Sequence, residues 1–572
     1  MSIIDESLKP SDQFETFLHN VKCYLCNPDL DYLKLTNYNL TQWDRYIYLS
    51  RTTNINETQF EDGSVNLFQQ FYINKIDERQ NEIKKTLLYN CNNNKIDNIF
   101  LLNERIYTEE ELGVKSSKIK QIVINKRLTY NDIFTYVNEN NINGYIVISN
   151  SDIFFDKTIS NIKNCELIKN KKIYCLNRYN FSNNNLSTLD LDLIGRPDCQ
   201  DVWIYHSDFN NLLYNKNIFD IQLGSPGCDN KIIYLFKLLG FKCYNEPEII
   251  KTYHYHKILT RNYNNNTERP AYPYYGIFPA LKDDYNNNNR NIMNYMSFDI
   301  NEENQKIFDY IQDNINNNKT FIIPQITIPD TNLAMAGVML INKSNITNLD
   351  NLNKQLKLMS NRYININDDN SIEEIKKFST LFLESFERCK TYMKWEPWGK
   401  EYNNTSNSHY FIENNFKKNM NLWAEAFNLF YNIHNNPWTF SLKGKNILII
   451  SHFNNLIREK INIRDKIYNI DLFPDCNFVF LDIHEDYTKL SYKKLLINLI
   501  NDIENISDSF DIALISCRGL SNILISYIDD LNKSAIVANN FLESSFGIYD
   551  EVFEKEHSDI IKLYKNEYWT KI

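Results

Sequence analysis

Asn150 and Asp152 stand two residues apart just beyond the apolar run Tyr145 to Ile148, and Asp156 follows four residues later. Tyr145 to Ser149 has the length and composition of a strand, and in α/β sheets ligands bind outside the carboxyl ends of strands. Alternate residues on extended backbone share a face, so Asn150 and Asp152 project together. Hard oxygen ligands of this kind suit Mg2+ or Mn2+, either of which can carry a substrate diphosphate. The same residues read equally as a plain strand end followed by Asp156 capping a helix. A motif this short does not decide between the two readings.

Three further clusters suit the same site. Gln200 to Ile204 places Asp201 at the entry to a strand. Gly224 to Asn230 is a tight turn before a helix expected over Lys231 to Leu239. There Asp229 is either a helix-start cap or a general base. Tyr253-His254-Tyr255-His256 puts two imidazoles on one side of a strand, in a chain with only nine His residues. Such a pair could complete a metal shell with Asp152.

Residues of this kind need a rigid frame, and the chain offers one. Strands are expected at Val65–Tyr72, Ile96–Leu102, Ile119–Ile124, Tyr145–Ser149 and Asn170–Leu176. Helices are expected at Asp77–Tyr89, capped by Asp77, and at Thr129–Val137. Alternating strands and helices argue for βαβ units and a mainly parallel sheet. The Asn-, Tyr- and Pro-rich stretch 262–290 reads as a linker or lid. Beyond it come helical candidates at Asn304–Asn314, Ile372–Tyr392 and Leu422–Ile433, and a strand at Thr320–Ile323. A second series of buried strands follows at Lys443–Ser451, Phe478–Leu481, Asp511–Ser516 and Ala535–Val537.

Composition narrows the function classes. A chain of 572 residues exceeds one ordinary core, so two or three domains are expected. The net charge of −10 and the lack of a basic block argue against nucleic acid as the main partner. The eleven Cys residues are scattered, with Cys23 and Cys26 as the one weak pair, which fits a reducing compartment. Neither a secretory leader nor a bilayer-length apolar run is evident, so a cytoplasmic, non-secreted protein is expected. Asparagine runs such as 264–266 and 286–289 look like loop filler. A nucleotidyltransferase would want a basic, Gly-rich loop early in the first domain, where Val65 to Tyr72 has none. An iron hydroxylase would want a His-x-Asp with a distal His, and the spacing does not offer one.

In order along the chain, Asn150 to Asp156, Leu176-Asn-Arg178, Gln200 to Trp203, Leu223 to Asn230 and His254-Tyr-His256 resemble a family of GT-A-type glycosyltransferases of large DNA viruses, microbes and fungi. Phe71-Tyr72, Arg79, Glu82 and Leu101 to Glu104 are similar to that family's first strands, so the likeness covers roughly residues 65–263. The resemblance implies a Rossmann-like mixed sheet and a variant Asp-x-Asp turn in which Asp152 holds Mn2+ or Mg2+ on the diphosphate of a UDP- or GDP-sugar. It implies His254 and His256 as candidate metal ligands, and Asp229 as the base if the transfer inverts. Asn150, Arg178, Asp201 and Glu104 are then donor- or acceptor-binding residues. Asn150 stands where the family more often has an acid, which shifts it toward the ribose or a metal-bound water.

The later half resembles a GT-D-like module of polysaccharide-gene products, through Trp395 to Gly399, Asn436-Pro-Trp438, Leu442 to Ser451, Asp511 to Cys517 and Lys533 to Ile536. It departs from that pattern at Asn539-Asn540, in place of a glycine pair, and at Tyr549 to Phe553. Cys517 to Asn522 keeps one glycine of a loop that would let backbone amides approach phosphate. The expected layout is an N-terminal extension of unknown role at 1–64 and a GT-A-like domain at 65–285. A mostly helical segment at 286–440 belongs to the C-terminal module, and an α/β GT-D-like domain fills 441–572. The expected function is metal-dependent transfer of a sugar from a nucleotide sugar to a glycan or glycoprotein. The alternatives are a bifunctional transferase with a second active domain, and an inactive glycan-binding scaffold.

Overall fold

The computed structural model describes residues 14, 17–19, 47–50, 61–181, 197–256, 269–280, 299–342, 366, 371–395, 402–483, 490–539 and 541–572. Cys23 and Cys26, the asparagine runs 264–266 and 286–289, residues 396–399 and Asn540 lie outside them. The chain is mixed α/β and divides into two compact units: Arg45–Asp299, and Ile300–Ile572 with Met1–Asp44.

The first unit is built from β1 (Ile47–Ser50), β2 (Val65–Gln69), α1 (Asp77–Asn92), β3 (Asn98–Asn103), β4 (Ile119–Val123), α2 (Tyr130–Glu139), β5 (Tyr145–Ser149) and β6 (Ile153–Phe155). It continues with β7 (Lys172–Asn177), β8 (Tyr179–Asn180), β9 (Gln200–His206), α3 (Cys228–Leu238), β10 (Lys242–Tyr244), β11 (Thr252–His254) and β12 (Tyr274–Ile277). Seven strands form one sheet in the order β10-β7-β9-β5-β2-β3-β4. All run parallel except β9, which is antiparallel to both β5 and β7. The chain steps from β2 outward to β3 and β4, then returns to place β5 on the other side of β2. The topological switch therefore falls between β2 and β5, where α/β sheets open their ligand crevice. The start of antiparallel β9 lies at that same end of the sheet, so β9 contributes from its first residues.

β5 is buried at all five positions, as expected of a strand covered on both faces, where apolar residues run without alternation. Several boundaries differ from the sequence expectation for local reasons. β2 stops at Gln69 because the Phe71 amide donates to the Asn103 side chain at 2.8 Å rather than to a ladder. β7 begins at Lys172 because Lys171 is left-handed, with φ 49°. Asp77 is not the cap of α1. Ile76 is, without a side-chain bond, and Asp77 and Glu78 occupy the first turn, where carboxylates favour the helix dipole. Asp156 does cap, accepting from the Thr158 amide at 2.8 Å, although the helix it opens is 3-10. The supposed linker at 262–290 includes β12, which pairs in parallel with β1.

Apolar residues of α1 (Ile83, Leu87, Cys91) pack into the sheet core. Arg79, Glu82, Thr86 and Asn90, buried beside them, form a polar stripe at helical spacing. A three-stranded ribbon, β6-β11-β8, completes the frame. Phe154, Tyr179, Phe181, Tyr253 and Tyr255 form its own aromatic core.

The second unit contains α4 (Ile300–Asn316), β13 (Ile322–Ile323), α5 (Ile328–Ile341), α6 (Ser371–Arg388), β14 (Met393–Lys394), α7 (Tyr402–Asn415) and β15 (Leu422–Trp423). β16 (Asn446–Ser451), α8 (Asn454–Ile461), β17 (Asn477–Asp482), α9 (Tyr492–Asn505), β18 (Ile512–Ser516), α10 (Ser521–Asp530) and β19 (Ser534–Val537) follow. Its five-stranded sheet is parallel throughout, in the order β13-β19-β18-β16-β17. Phe14 and Leu18 are buried in this unit's core. Gly337 on α5 lets α6 approach closely, since a Cβ there would lie 2.4 Å from the Ser379 Cβ. Leu422–Ile433 is not a helix: β15 leads into two 3-10 turns, Ala424–Phe427 and Leu429–Tyr431. The turns are separated by Asn428 in an extended conformation. Among the described residues no helix is long and apolar enough to cross a membrane.

Candidate functional site

The turn after β5 is held from below by amides. Gln69, at the carboxyl end of β2, donates from Nε2 to Ser149 Oγ (3.0 Å), Asn150 O (2.9 Å) and Ile153 O (3.1 Å). Asn90 of α1 donates to Ile153 O at 3.0 Å and accepts from the Phe155 amide at 3.2 Å. These buried bonds fix the backbone that carries Asp152, because a buried amide left unpaired is costly.

The ribbon brings the histidines to that turn. β11 runs antiparallel to β6 with His254 opposite Ile153, and the Tyr255 amide donates to Asp152 O at 2.9 Å. His254 Nε2 then lies 3.1 Å from Asp152 Oδ2, and His256 Nδ1 lies 3.6 Å from the same oxygen and 3.3 Å from His254 Nε2. One ligand atom from each of the three residues falls within 4.8 Å of the other two. The three residues that the sequence offered as a possible metal shell thus lie together.

Burial alone would raise the Asp152 carboxyl. The His254 imidazole and the Arg79 guanidinium outweigh it and hold the group well below the usual carboxylate range. Burial lowers His254, against the pull of Asp152 and with added pressure from Arg178 and His256. Asp152 is therefore held as the ionised carboxylate, the form in which it ligates metals. Two imidazoles and one carboxylate fit Mn2+ or Fe2+ better than Mg2+, which prefers oxygen shells.

Next to this cluster lies a second polar set. Asn150 Nδ2 donates to Asp201 Oδ1 at 2.7 Å, and Arg178 pairs with Asp201 Oδ2. Asn150 thus faces Asp201 rather than Asp152. Arg178 lies within electrostatic reach of both His254 and Asp229, linking the two sets. Gly224, with φ +71°, lies against the Asn150 side chain and Arg127, whose Nη2 donates to Leu223 O at 3.0 Å. Asp229 sits in the first turn of α3, whose cap is Gly227. Burial and then the charge of Asp198 push its carboxyl up to about 7, against its backbone bonds and Arg178. A carboxyl at that level is suited to accepting a proton near neutrality.

Glu104 is exposed just beyond β3, and no contact joins it to either set among the described residues. Arg79, by contrast, was read only as part of a family likeness, yet its Nη2 lies 2.5 Å from Asp152 Oδ2. The helical spacing of Arg79, Glu82, Thr86 and Asn90 was the signal available for it.

In the second unit, Ser451 and Ser516 end adjacent strands β16 and β18 and both donate to Glu543 Oε1, at 2.8 and 2.7 Å. The loop after β18 carries Arg518 at φ +48°. Its amide donates to Asn539 Oδ1 at 3.0 Å, and Ser521 Oγ donates to the same oxygen at 2.8 Å. The chain's own asparagine therefore occupies an amide of the loop that was expected to meet phosphate.

Compared with known proteins, the chain matches no family model and no curated protein.

Proposed function

We propose that the first unit is a metal-dependent glycosyltransferase domain that moves a sugar from a nucleotide sugar to a hydroxyl of a glycan or glycoprotein acceptor. The observation that carries this reading is the convergence of Asp152, His254 and His256 at the switch point of the sheet, with Asp229 and Arg178 alongside. Asp152, His254 and His256 would hold the ion, which supplies charge neutralisation for a diphosphate leaving group. Arg178 and Asp201, with Asn150, supply a cation and hydrogen-bonding oxygens for phosphate and sugar hydroxyls. Asp229 takes the proton of the acceptor hydroxyl. The hydroxyl oxygen bonds to the anomeric carbon as the bond from that carbon to the diphosphate oxygen breaks. The acceptor gains the sugar, and a nucleoside diphosphate leaves with the electron pair.

A thermal-shift screen of UDP- and GDP-sugars, with and without Mn2+, tests the reading. Stabilisation by one donor that requires Mn2+ and is lost in Asp152→Asn supports it. Stabilisation by Fe2+ with no response to any nucleotide sugar would replace it with an oxygenase-type reading of the same ligands.

A further inference from the structure

Arg79 projects from the polar stripe of α1 into the ligand cluster. Its Nη1 lies 2.8 Å from Glu82 Oε2 and its Nη2 lies 2.5 Å from Asp152 Oδ2. Side-chain exposure is 7% for Arg79, 6% for Glu82 and 11% for Asp152. The same Asp152 oxygen is the one that His254 approaches at 3.1 Å. A carboxylate oxygen offers two lone-pair directions, and here a guanidinium and an imidazole address them. A divalent ion ligated by Asp152 Oδ2 would meet a positive charge already seated on it. In a site shielded from water, like charges repel far more strongly than on a surface.

We propose that Arg79 is a stand-in cation: it holds the Asp152 carboxylate until ion and diphosphate arrive together, then turns its freed amino group to the phosphate oxygens. The proposal rests on the metal reading given above. Asp152, Glu82 and Arg79 together carry one negative charge. An ion entering alone adds two positive charges beside a guanidinium whose Nη2 loses its carboxylate partner. An ion entering with a diphosphate brings compensating negative charge, and its phosphate oxygens can accept from the Nη2 amino group that Arg79 withdraws from Asp152. Glu82 keeps hold of Nη1 throughout, so the side chain pivots rather than leaves. Arg79 is thus a positioning residue that makes bare metal binding weak and couples metal to nucleotide, a coupling that must act equally in both directions.

The test is Mn2+ titration of the full chain, followed by the paramagnetic resonance signal of free Mn2+, with and without UDP. Arg79→Met combined with Glu82→Gln removes both charges of the pair and leaves no lone buried carboxylate. Arg79→Gln serves if that variant does not fold, and Asp152→Asn is the control. Freeing Asp152 Oδ2 of the guanidinium is expected to tighten binding of Mn2+ alone by about tenfold or more and to shrink the gain from UDP. If wild type binds Mn2+, Asp152→Asn does not, and the charge-removed variant binds no tighter, the proposal is overturned while the metal reading stands. If wild type takes up no Mn2+ with or without UDP, the metal reading falls and the proposal falls with it.

Discussion

Replacing Asp229 by Asn should make the first unit more stable while removing its proposed base, and the gain should depend on pH. The carboxyl is raised from 3.8 to about 7, first by burial and then by the charge of Asp198. Between those values the folded chain holds a proton that the unfolded chain has released. Folding stability therefore falls as pH rises through this window, and above it the full cost of a buried charge is present. A shift of about three units corresponds to at most about 4 kcal/mol, and partial solvent access reduces this to about 2 kcal/mol. Asn has no charge to lose, so Asp229→Asn should exceed wild type by about 2 kcal/mol at pH 8, with the difference vanishing toward pH 4.

Hydrogen exchange of the amides in α3 and β9 reads this unit apart from the other one. The same group should set an acid limb near pH 7 in the rate of sugar transfer. Asp198→Asn, by removing the neighbouring charge, should move that limb to lower pH. A stability difference between Asp229→Asn and wild type that stays constant from pH 4 to 8 would refute the reasoning. It would mean that the carboxyl ionises normally in the folded chain.

Asp152→Asn should abolish Mn2+-dependent nucleotide binding and, by leaving Arg79 short of a buried partner, cost about 3 kcal/mol in denaturant unfolding. Retained Mn2+ dependence would remove Asp152 from the ligand set. In the second unit, burial among Phe430, Tyr431 and Phe553 lowers His557 to about 4. The unfolded chain takes up that proton first, so stability should fall as pH drops from 6.5 to 4, by about 3 kcal/mol at most. His557→Phe should flatten this dependence in urea titrations at pH 7 and pH 4.5. Gly337→Ala places a Cβ against Ser379 and Ile375 O, and should lower unfolding free energy by about 1–3 kcal/mol. An unchanged denaturation midpoint would show that α5 and α6 can move apart freely.

The frame around the site was legible where burial and chain direction leave one solution. β5 appeared in the sequence with the bounds it has in the fold, because a strand covered on both faces is buried at every position and here runs apolar from Tyr145 to Ile148. The segment Leu422–Ile433 misled for the opposite reason: its apolar residues recur at helical spacing, but tertiary bonds decide its backbone. Trp438 Nε1 donates to Phe427 O at 3.0 Å, and Asn428 turns extended between the two 3-10 turns. α5 was missed because it is apolar around most of its circumference, which leaves no period to read. α7 was missed because its Asn, Ser and Thr residues have the composition of a loop.

The site divides along the same line. His254 and His256 were readable as a pair because extended backbone repeats every two residues, whereas the same rule misplaced Asn150, which lies in the turn and faces Asp201. The polar stripe on α1 marks the face that will meet the ligand cluster, but which of its residues does so depends on how α1 rolls against the ribbon. The roll is set by two stripes at once: Ile83, Leu87 and Cys91 must enter the sheet core, and Asn90 must satisfy the backbone of β6. With those requirements met, Arg79 places Nη1 on Glu82 and Nη2 on Asp152. A charge buried by this double constraint differs from one placed by an exposed loop. On the reading proposed above, a ligand that takes the carboxylate must therefore also provide for the guanidinium. A diphosphate carried by a divalent ion meets both requirements, and a bare ion meets one.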